Sequence, residues 1–305
     1  MRESKKLKYS FEEIAHCEMC GQPADKHKVI GQRMNKPLGL RPRKVSGISV
    51  SVKRCKNCWL HYSSPLPVPF DIQDHYGIPP EDYWKPVYFQ LDTNYFSNQI
   101  KTAKELIDFK PGMKSLDIGA GIGKGMIAMM NAGFDTYGFE PSRPYYERAI
   151  SKMNISPGKL KLGMVEEMEY EENSFDFITY GAVFEHLYHP AACLEKTLKW
   201  LKPGGIIHIE VPSSRYLAAR IVNMYYRFIG TNFVCSISPM HPPFHLYEFG
   251  LKSFTELAKK LNYTLKQHKY YVGKTTVLPR ILIPFADKYM KWTKTGMQLE
   301  VWLSK

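Results

Sequence analysis

The strongest chemical signal in the chain is a glycine-rich turn with an acidic residue on either side. Gly119, Gly121 and Gly123 follow a short apolar run that contains Asp117. Glycine is needed where the backbone turns sharply and where a ligand approaches it without meeting a Cβ atom. Glu140 ends the next apolar run, about 20 residues further on, where a carboxylate can accept hydrogen bonds from both hydroxyls of a ribose. This spacing predicts a nucleoside-binding site.

Two classes of cofactor use such a turn, and Asp117 separates them. In nicotinamide-dependent enzymes the turn approaches a pyrophosphate. A carboxylate ahead of the first glycine would repel that group, but it can receive an ammonium group. S-adenosylmethionine carries an ammonium group and no phosphate, so we favour it as the cofactor.

Four cysteines form a second chemical signal. Cys17 and Cys20 make one C-x-x-C pair, and Cys55 and Cys58 make another. Two such pairs brought together give the tetrahedral four-thiolate site that Zn²⁺ favours. Structural zinc is our prediction, and a cysteine framework without metal is the alternative. The remaining cysteines are expected to be buried apolar thiols: Cys193 and Cys235.

Five segments together resemble the class I S-adenosylmethionine-dependent methyltransferases over about residues 90–270. They stand in the order and spacing of that family: Leu116–Gly123, Phe139–Ser142, Asn173–Ile178, Val183–Leu187 and Leu201–Glu210. The resemblance implies an α/β, Rossmann-like sheet of seven strands with the last one antiparallel, and a cofactor across the carboxyl ends of the strands.

The same resemblance implies which residues bind the cofactor. In many relatives a Gly-Asp pair contacts the adenine, but here Gly163 and Met164 stand in its place. We therefore expect the adenine to rest against Met164 and Val165, with Glu166 nearby. The full set of expected cofactor-binding residues is Asp117, Gly119, Ala120, Gly121, Gly123, Glu140, Pro141, Val165, Glu166, Tyr180 and Gly181.

Methyl transfer requires an acceptor that is held in line with the donor and, if protic, is deprotonated. His186 follows the fourth predicted strand, and Glu185 beside it can orient a base or hold substrate. His241, His245 and Tyr247 lie in a segment that resembles the acceptor border of sugar-modifying members of the family. We expect His186 or His245 to act as the base, with Glu185 and Tyr247 also in the catalytic site. The alternative for each histidine is a packing or capping role.

The elements that must position these residues follow from the apolar pattern. From Ser115 onward, short apolar runs alternate with helical stretches, which indicates βαβ units and a parallel sheet. The predicted strands are 115–118, 136–140, 159–162, 175–180 and 205–211, followed by a helix at 251–261 and apolar segments near 264–272 and 276–283. We divide the chain into a zinc-ribbon-like module with its linker (1–70), an aromatic-rich lid with a lead-in helix (71–110), and a methyltransferase core with a C-terminal extension (111–305).

The net charge of +13 is concentrated at the two ends of the chain. Residues 1–70 hold 14 Lys and Arg against 5 Asp and Glu, and residues 251–305 hold 11 against 3. Such flanks attract nucleic acid, anionic lipid or a phosphorylated substrate, or they are simply a solvated basic surface. One alternative function is therefore an RNA methyltransferase that contacts phosphates through Arg33, Lys36, Arg41, Arg43, Lys44, Lys53 and Arg54.

A further alternative is a non-catalytic scaffold at a membrane surface. The amphipathic segment Tyr216–Val234 and the basic tail with Trp292 and Trp302 favour such contact. The sequence has no recognisable signal peptide and no apolar run long enough to span a bilayer. We therefore expect a cytoplasmic protein. Peripheral contact with the inner face of an anionic membrane is a second expectation.

The preferred function is methyl transfer to a small polar acceptor. The acceptor class that we expect is a nucleotide-linked or lipid-linked sugar in polysaccharide or secondary metabolite biosynthesis. The pattern leaves the oligomeric state open.

Overall fold

The computed structural model of the chain describes residues 9–33, 49–73, 84–237, 245–272 and 280–305. Several residues named above lie outside these ranges: Lys36, Arg41, Arg43, Lys44 and His241. Within the described ranges, no helix is both long and apolar enough to cross a bilayer.

The N-terminal part of the chain forms short strands around the two cysteine pairs. These strands are β1 (Tyr9–Glu12), β2 (Lys28–Arg33), β3 (Val50–Arg54), β4 (His61–Ser64) and β5 (Leu66–Pro69). β1 pairs with β5, while β2, β3 and β4 form an antiparallel sheet. Met19, Leu60 and Tyr62 are buried and belong to the same apolar cluster as the central sheet, so the module packs directly on the rest of the chain.

Helices and strands alternate through the middle of the chain. Helix α1 (Ser97–Leu106) leads into β6 (Lys114–Ile118), α2 (Lys124–Asn131), β7 (Asp135–Glu140), α3 (Arg143–Met153), β8 (Leu160–Leu162), β9 (Phe175–Gly181), α4 (Pro190–Trp200) and β10 (Leu201–Pro212). β9 is buried over nearly its whole length, because both faces of the sheet are covered by helices. This arrangement is the predicted series of βαβ units.

The rest of the chain completes the central sheet. It comprises α5 (Leu217–Phe228), β11 (Tyr247–Glu248), α6 (Leu251–Leu261), β12 (Thr264–Tyr271), α7 (Ile283–Thr293) and β13 (Gln298–Ser304). The sheet has seven strands in the order β12-β13-β10-β9-β6-β7-β8, and β13 runs antiparallel to both neighbours. The expected seven-stranded Rossmann-like sheet with an antiparallel last strand is confirmed, and Cys193 and Cys235 are buried as expected.

The position of the last strand differs from the apolar segments that the sequence indicates. The segment near 264–272 is β12, but the described part of the segment near 276–283 is a short 3-10 turn at Arg280–Leu282. On the side away from β9, β10 pairs with β13, which contains the buried Glu300. His208 and Tyr271 hydrogen-bond to the Glu300 carboxyl group at 2.8 and 2.9 Å, so a charged residue is accommodated within a core strand.

The N-terminal module shares a sheet with the catalytic core. β11 pairs antiparallel with β4, so that Tyr247 lies opposite Tyr62. The Ser63 amide donates to the Leu246 carbonyl at 3.0 Å, and the Ser253 hydroxyl donates to the Cys58 carbonyl at 3.1 Å. These bonds join the module, at Cys58 and at β4, to α6 and to the segment that carries His245.

Candidate active site

The glycine turn lies between β6 and the first turn of α2. Gly119, Gly121 and Gly123 all have positive φ angles, of 67°, 58° and 83°. The amides of Gly119 and Ala120 both donate to the Phe139 carbonyl on β7, at 2.9 and 3.0 Å, so the turn is fixed against the neighbouring strand. A Cβ atom on Gly121 would meet no atom within 4 Å, so this glycine faces open space where a ligand can approach the backbone.

Glu140 lies at the end of β7 and binds the glycine turn. Its two carboxylate oxygens accept hydrogen bonds from the Gly121 amide at 2.7 Å and the Ser142 amide at 2.8 Å. Burial raises the pKa of Glu140 to about 7, although these two amide bonds oppose the rise. Its position at the carboxyl end of a strand, beside an open backbone turn, is suited to binding ribose hydroxyls.

Asp117 lies on β6 beside Glu140. Burial, and then the negative charge of Glu140, raise the pKa of Asp117 to about 7. A Cβ atom on Gly125 would lie 2.6 Å from the Asp117 Oδ2 atom, so only glycine leaves room for this carboxylate at the start of α2. The two carboxyl groups are buried close together, and no cationic side chain among the described residues lowers their pKa values. A cationic ligand would therefore stabilise both in the ionised form.

The acceptor side of the site is built from two segments that are distant in sequence. The 3-10 turn Phe184–His186 follows β9, and His245 precedes β11. The His245 Nε2 atom lies 4.0 Å from the Glu185 Oε1 atom, and the rings of His186 and His245 are 4.8 Å apart and nearly perpendicular. The structure therefore brings together Glu185, His186 and His245, which were each singled out from the sequence.

Glu185 is a buried acid at the centre of this group. It is 2% exposed, and its Oε2 atom has no hydrogen-bond partner among the described residues. Burial raises the pKa of Glu185 to about 8, and the nearby charge of Glu210 adds to the rise. A buried carboxyl group with such a pKa, 4.0 Å from the His245 ring, is typical of a functional site.

The glycine turn and the acceptor group are in direct contact. A Cβ atom on Gly119 would lie 2.6 Å from the Val183 Cγ2 atom, and Val183 immediately precedes the turn with Glu185 and His186. The glycine turn and the candidate base thus lie next to each other at the carboxyl edge of the sheet.

Two residues of the site were not identified from the sequence. Burial raises the pKa of Tyr95 to about 12, and the negative charges of Asp117 and Glu210 add to the rise. Glu210 is at the end of β10, on the same edge as Asp117 and Glu140. Its place at the carboxyl end of a predicted strand was a usable signal, whereas Tyr95 was only one of many aromatic residues in its segment.

The aromatic segment before α1 lies against the helices that flank the glycine turn. The Trp84 and Tyr145 rings are 5.2 Å apart, and the Arg148 guanidinium lies 3.8 Å from the Trp84 ring centroid. The Lys124 ammonium at the start of α2 lies 4.7 Å from the Tyr88 ring. These contacts hold the segment beside the candidate cofactor site, as a lid would be.

Two predicted site tyrosines instead belong to the core. Tyr247 is fully buried and donates to the Tyr188 carbonyl at 3.0 Å. Tyr180 is also fully buried, and its hydroxyl donates to Thr197 on α4 at 3.0 Å. Burial raises the pKa of both hydroxyls well above the ordinary value. Both side chains therefore point into the core, whereas they were expected at the acceptor and the cofactor; their predicted roles stay predictions.

The remaining expected cofactor contacts have varied positions. Gly181 is exposed at the end of β9, and the Pro141 carbonyl accepts a hydrogen bond from the Gln73 side chain at 2.8 Å. Val165 is buried in the main apolar core. The Glu166 carboxylate lies near Cys193 on α4, with 3.5 Å between the Cys193 Sγ and Glu166 Oε1 atoms. Of this group, Gly181 and Pro141 are therefore best placed at the edge where the glycine turn lies.

The four predicted metal ligands converge on one point. The Sγ atoms of Cys17 and Cys58 are 3.5 Å apart, as are those of Cys20 and Cys55, and all four lie within 4.8 Å of one another. In a tetrahedral site with Zn–S bonds of about 2.3 Å, neighbouring sulfurs are about 3.8 Å apart. The cluster therefore has the donor set and spacing that a zinc ion requires.

A basic cleft lies between the N-terminal module and the core. Its volume is about 320 Å³, and its walls are Arg54, Trp59, His61, Ser214, Arg215 and Arg220. Among the described residues, no carboxylate forms an ion pair with any of the three arginines. The buried Ser214 hydroxyl also has no partner within the described ranges. Arg33, by contrast, is buried and donates to the Ile237 carbonyl at 2.6 Å, so its predicted role in phosphate binding was wrong.

Sequence comparison identifies relatives of the central part of the chain. The C. elegans protein phosphoethanolamine N-methyltransferase 2 is 28% identical over 144 residues, which cover 46% of this chain and 33% of the relative. A demethylmenaquinone methyltransferase of Bacillus mycoides is 29% identical over 139 residues, which cover 42% of this chain and 58% of the relative. The match thus spans about a third to three fifths of the length of these relatives.

Structural comparison agrees with the sheet topology. A chain in the complex of the Haloferax volcanii Trm112 methyltransferase activator superposes with a TM-score of 0.50 at 14% identity, covering 77% of this chain and 97% of that chain. This likeness shows a shared fold. A family profile described as a methyltransferase domain matches residues 93–268, which is more than half of the sequence. The chain therefore belongs to the methyltransferase-domain family of S-adenosylmethionine-dependent enzymes.

Proposed function

We propose that this protein transfers a methyl group from S-adenosylmethionine to a small polar acceptor that carries an anionic group. The observation that carries the proposal is the contact between Gly119 and Val183, which joins the cofactor-binding turn to the turn with Glu185 and His186. A nucleotide-linked or lipid-linked sugar fits this description, because it combines hydroxyl groups with phosphate.

The residues of the glycine turn are suited to hold the cofactor. Asp117 would receive the ammonium group, and Glu140 would bind the ribose hydroxyls next to the open Gly121 backbone. Bound there, S-adenosylmethionine supplies an activated methyl group. The chain's own task is then to position the acceptor and to remove its proton.

Proton removal is assigned to the two histidines. His186 and His245 flank the same buried carboxyl group, and either imidazole can take a proton from an acceptor hydroxyl or ammonium group. Glu185 would position the ring that becomes charged. Burial holds its pKa at about 8, so near neutral pH it can share a proton with the neighbouring imidazole.

The basic cleft supports an anionic acceptor. His61 in the cleft lies opposite Glu248 on the β4–β11 pair, and Glu248 is three residues from His245. Three residues of extended chain span at most about 11 Å, so the cleft and the candidate base are within the length of a sugar phosphate. Arginines bind phosphate oxygens in a bidentate manner. The names of several curated relatives specify phosphoethanolamine, a phosphorylated acceptor.

We further propose that the four cysteines hold a structural zinc ion. The metal would stabilise a module too small to fold on its apolar core alone. Its role in catalysis is indirect: β4 of the module pairs with β11, and the Leu246 amide next to His245 donates to the Glu185 carbonyl at 2.8 Å. The module would thus hold the acceptor residues in place.

Calorimetric titration of S-adenosylhomocysteine tests the cofactor assignment. Wild-type protein should bind. The double variant Asp117→Ala, Glu140→Ala should lose binding, and its thermal melt should show that it is still folded. A variant at an exposed acid remote from the turn, Glu172→Ala, is the matched control and should bind as wild type does. Absence of binding to folded wild-type protein would exclude the proposed function.

A further inference from the structure

Helix α5 carries an apolar stripe that faces solvent. The exposed side chains are Ile221, Met224, Tyr225, Phe228 and, just beyond the helix, Ile229. Their spacing of three and four residues places them on one face of the helix. Phe228 is 89% exposed, and Ala218 is the one buried residue of this helix. The helix is therefore amphipathic, but its apolar face points away from the core.

Helix α7 has the same inverted arrangement. Phe285, Tyr289 and Trp292 follow the helical period and are exposed, and Ile281 and Leu282 extend the stripe ahead of the helix. Trp292 is 80% exposed and Phe285 is 74% exposed. Met290 is the buried residue of this helix. Two helices thus present apolar side chains that folding does not bury.

The two helices meet at one point of the structure. The Leu217 amide at the start of α5 donates to the Thr295 carbonyl just after α7, at 3.1 Å. Most exposed large apolar side chains among the described residues belong to these two helices and the residues next to them. Exposed apolar stripes on two helices that meet mark a site of interaction with a membrane or a partner.

The charges beside the two stripes favour a membrane over a protein partner. α5 contains Arg220 and Arg227 and no acidic residue, and α7 with the residue after it contains Lys288, Lys291 and Lys294 against Asp287. The three lysines are exposed beside the stripe. An apolar face bordered by basic side chains is complementary to a bilayer whose surface is anionic. The exposed Trp292 and Tyr289 are of the type that prefers the interface between lipid and water.

We propose that the stripes of α5 and α7 form a docking surface for a bilayer that contains anionic lipid. The apolar side chains insert at the level of the headgroups, and the flanking Lys and Arg side chains contact lipid phosphates. Arg220 lies on α5 and also lines the basic cleft, so a docked bilayer lies next to that cleft. The proposal does not depend on methyl transfer. Trp302, also considered for membrane contact, is fully buried in the core and takes no part.

Flotation of the full-length protein with vesicles tests this surface. The vesicles contain either phosphatidylcholine alone or equal parts of phosphatidylcholine and phosphatidylglycerol. Wild-type protein should float with the anionic vesicles, and high salt should weaken this binding. The variant Met224→Ser, Phe228→Ser, Phe285→Ser, Trp292→Ser should bind at least about tenfold more weakly, because it loses most of the apolar stripe.

A matched control variant shows whether vesicle binding depends on the stripes or on exposed apolar side chains in general. Phe11 and Phe70 are also exposed but lie on or next to the β1–β5 pair, so Phe11→Ser, Phe70→Ser should float as wild type does. Melting temperatures confirm that each variant is folded. Failure of wild-type protein to float with anionic vesicles would overturn the proposal. A stripe-dependent dimer in sedimentation velocity without flotation would also overturn it and assign the surface to a second copy of the chain.

Discussion

The side chain of Val183 lies 2.6 Å from the position that a Cβ atom on Gly119 would occupy. The segment that ends in His186 is therefore packed against the glycine turn with no room for a side chain at Gly119.

This contact predicts the effect of Gly119→Ala. The new methyl group must displace Val183, so affinity for S-adenosylhomocysteine should fall at least about tenfold and turnover should fall further. Gly204 also has a positive φ angle, of 80°, but a Cβ atom there meets no atom within 4 Å. Gly204→Ala should thus cost only the backbone strain, about 1–2 kcal/mol of stability, with unchanged affinity. Equal affinities for the two variants in calorimetry would contradict the coupling.

The raised pKa values of Asp117 and Glu140 predict a pH dependence of stability. Both values rise to about 7 on folding, from ordinary values of 3.8 and 4.5. The contribution of these two carboxyl groups to the free energy of unfolding is fully present below about pH 4, where both are protonated. It is lost as the pH rises to about 7, because ionising the buried groups is costly in the folded state. The melting temperature of the ligand-free protein should therefore decrease over this range from this contribution. Asp117→Asn should make the decrease shallower; an unchanged profile in thermal melts would contradict the assignment.

The same groups predict proton release on cofactor binding. A ligand ammonium group favours the ionised form of Asp117, so protons leave the protein when the ligand binds at or below pH 7. The affinity for S-adenosylhomocysteine should rise between pH 6 and pH 8. Calorimetry in two buffers of different ionisation enthalpy measures the proton count, and a count of zero at pH 6.5 would exclude this role for Asp117.

The histidine pair predicts a selective loss of turnover. His186→Ala and His245→Ala should each reduce kcat by about 10²–10⁴, if that residue is the base, with little change in S-adenosylhomocysteine affinity. His189 is exposed and pairs with Glu18 on the surface, so His189→Ala is the matched control. Full activity of both His186→Ala and His245→Ala would rule out general-base catalysis by either ring.

The four-cysteine cluster predicts that metal removal affects the acceptor side first. Elemental analysis should find one zinc per chain, and Cys58→Ser should lower this content, while Cys235→Ala should not. Loss of the metal should weaken the β4–β11 pairing and reduce turnover. Binding of S-adenosylhomocysteine should be affected less, because the glycine turn lies on β6 and β7. Full activity of a zinc-free protein would contradict this supporting role.

Local features of the fold and site followed from the sequence. The glycine turn, Glu140 and α6 depend on residues that are near one another along the chain, and their periodicity and spacing are visible there. The proximity of His245 to Glu185 was inferred only as a common function, since it depends on the bond from the Leu246 amide to the Glu185 carbonyl, 61 residues apart in the chain. Pairings at such separation leave no local pattern.

Side-chain directions on strands were the hardest feature to predict. Tyr180 and Tyr247 were expected at the site from motif resemblance, but alternate residues of a strand face opposite sides. A residue next to a site residue therefore points into the core as often as into the site. β13 was missed because Glu300 interrupts its apolar run, and only its partners His208 and Tyr271 make that acid acceptable inside the sheet.

The pairing of β4 with β11 also sets the smallest piece of this protein that can be studied. A truncation at the proline-rich segment after β5 would follow the apparent boundary in the sequence, yet it would remove the strand that covers Tyr247 and the amide that binds the Leu246 carbonyl. The shortened chain would expose an unpaired strand edge and a tyrosine ring that is now fully buried. For expression and for domain exchange with relatives, the N-terminal module and the core are therefore one structural unit.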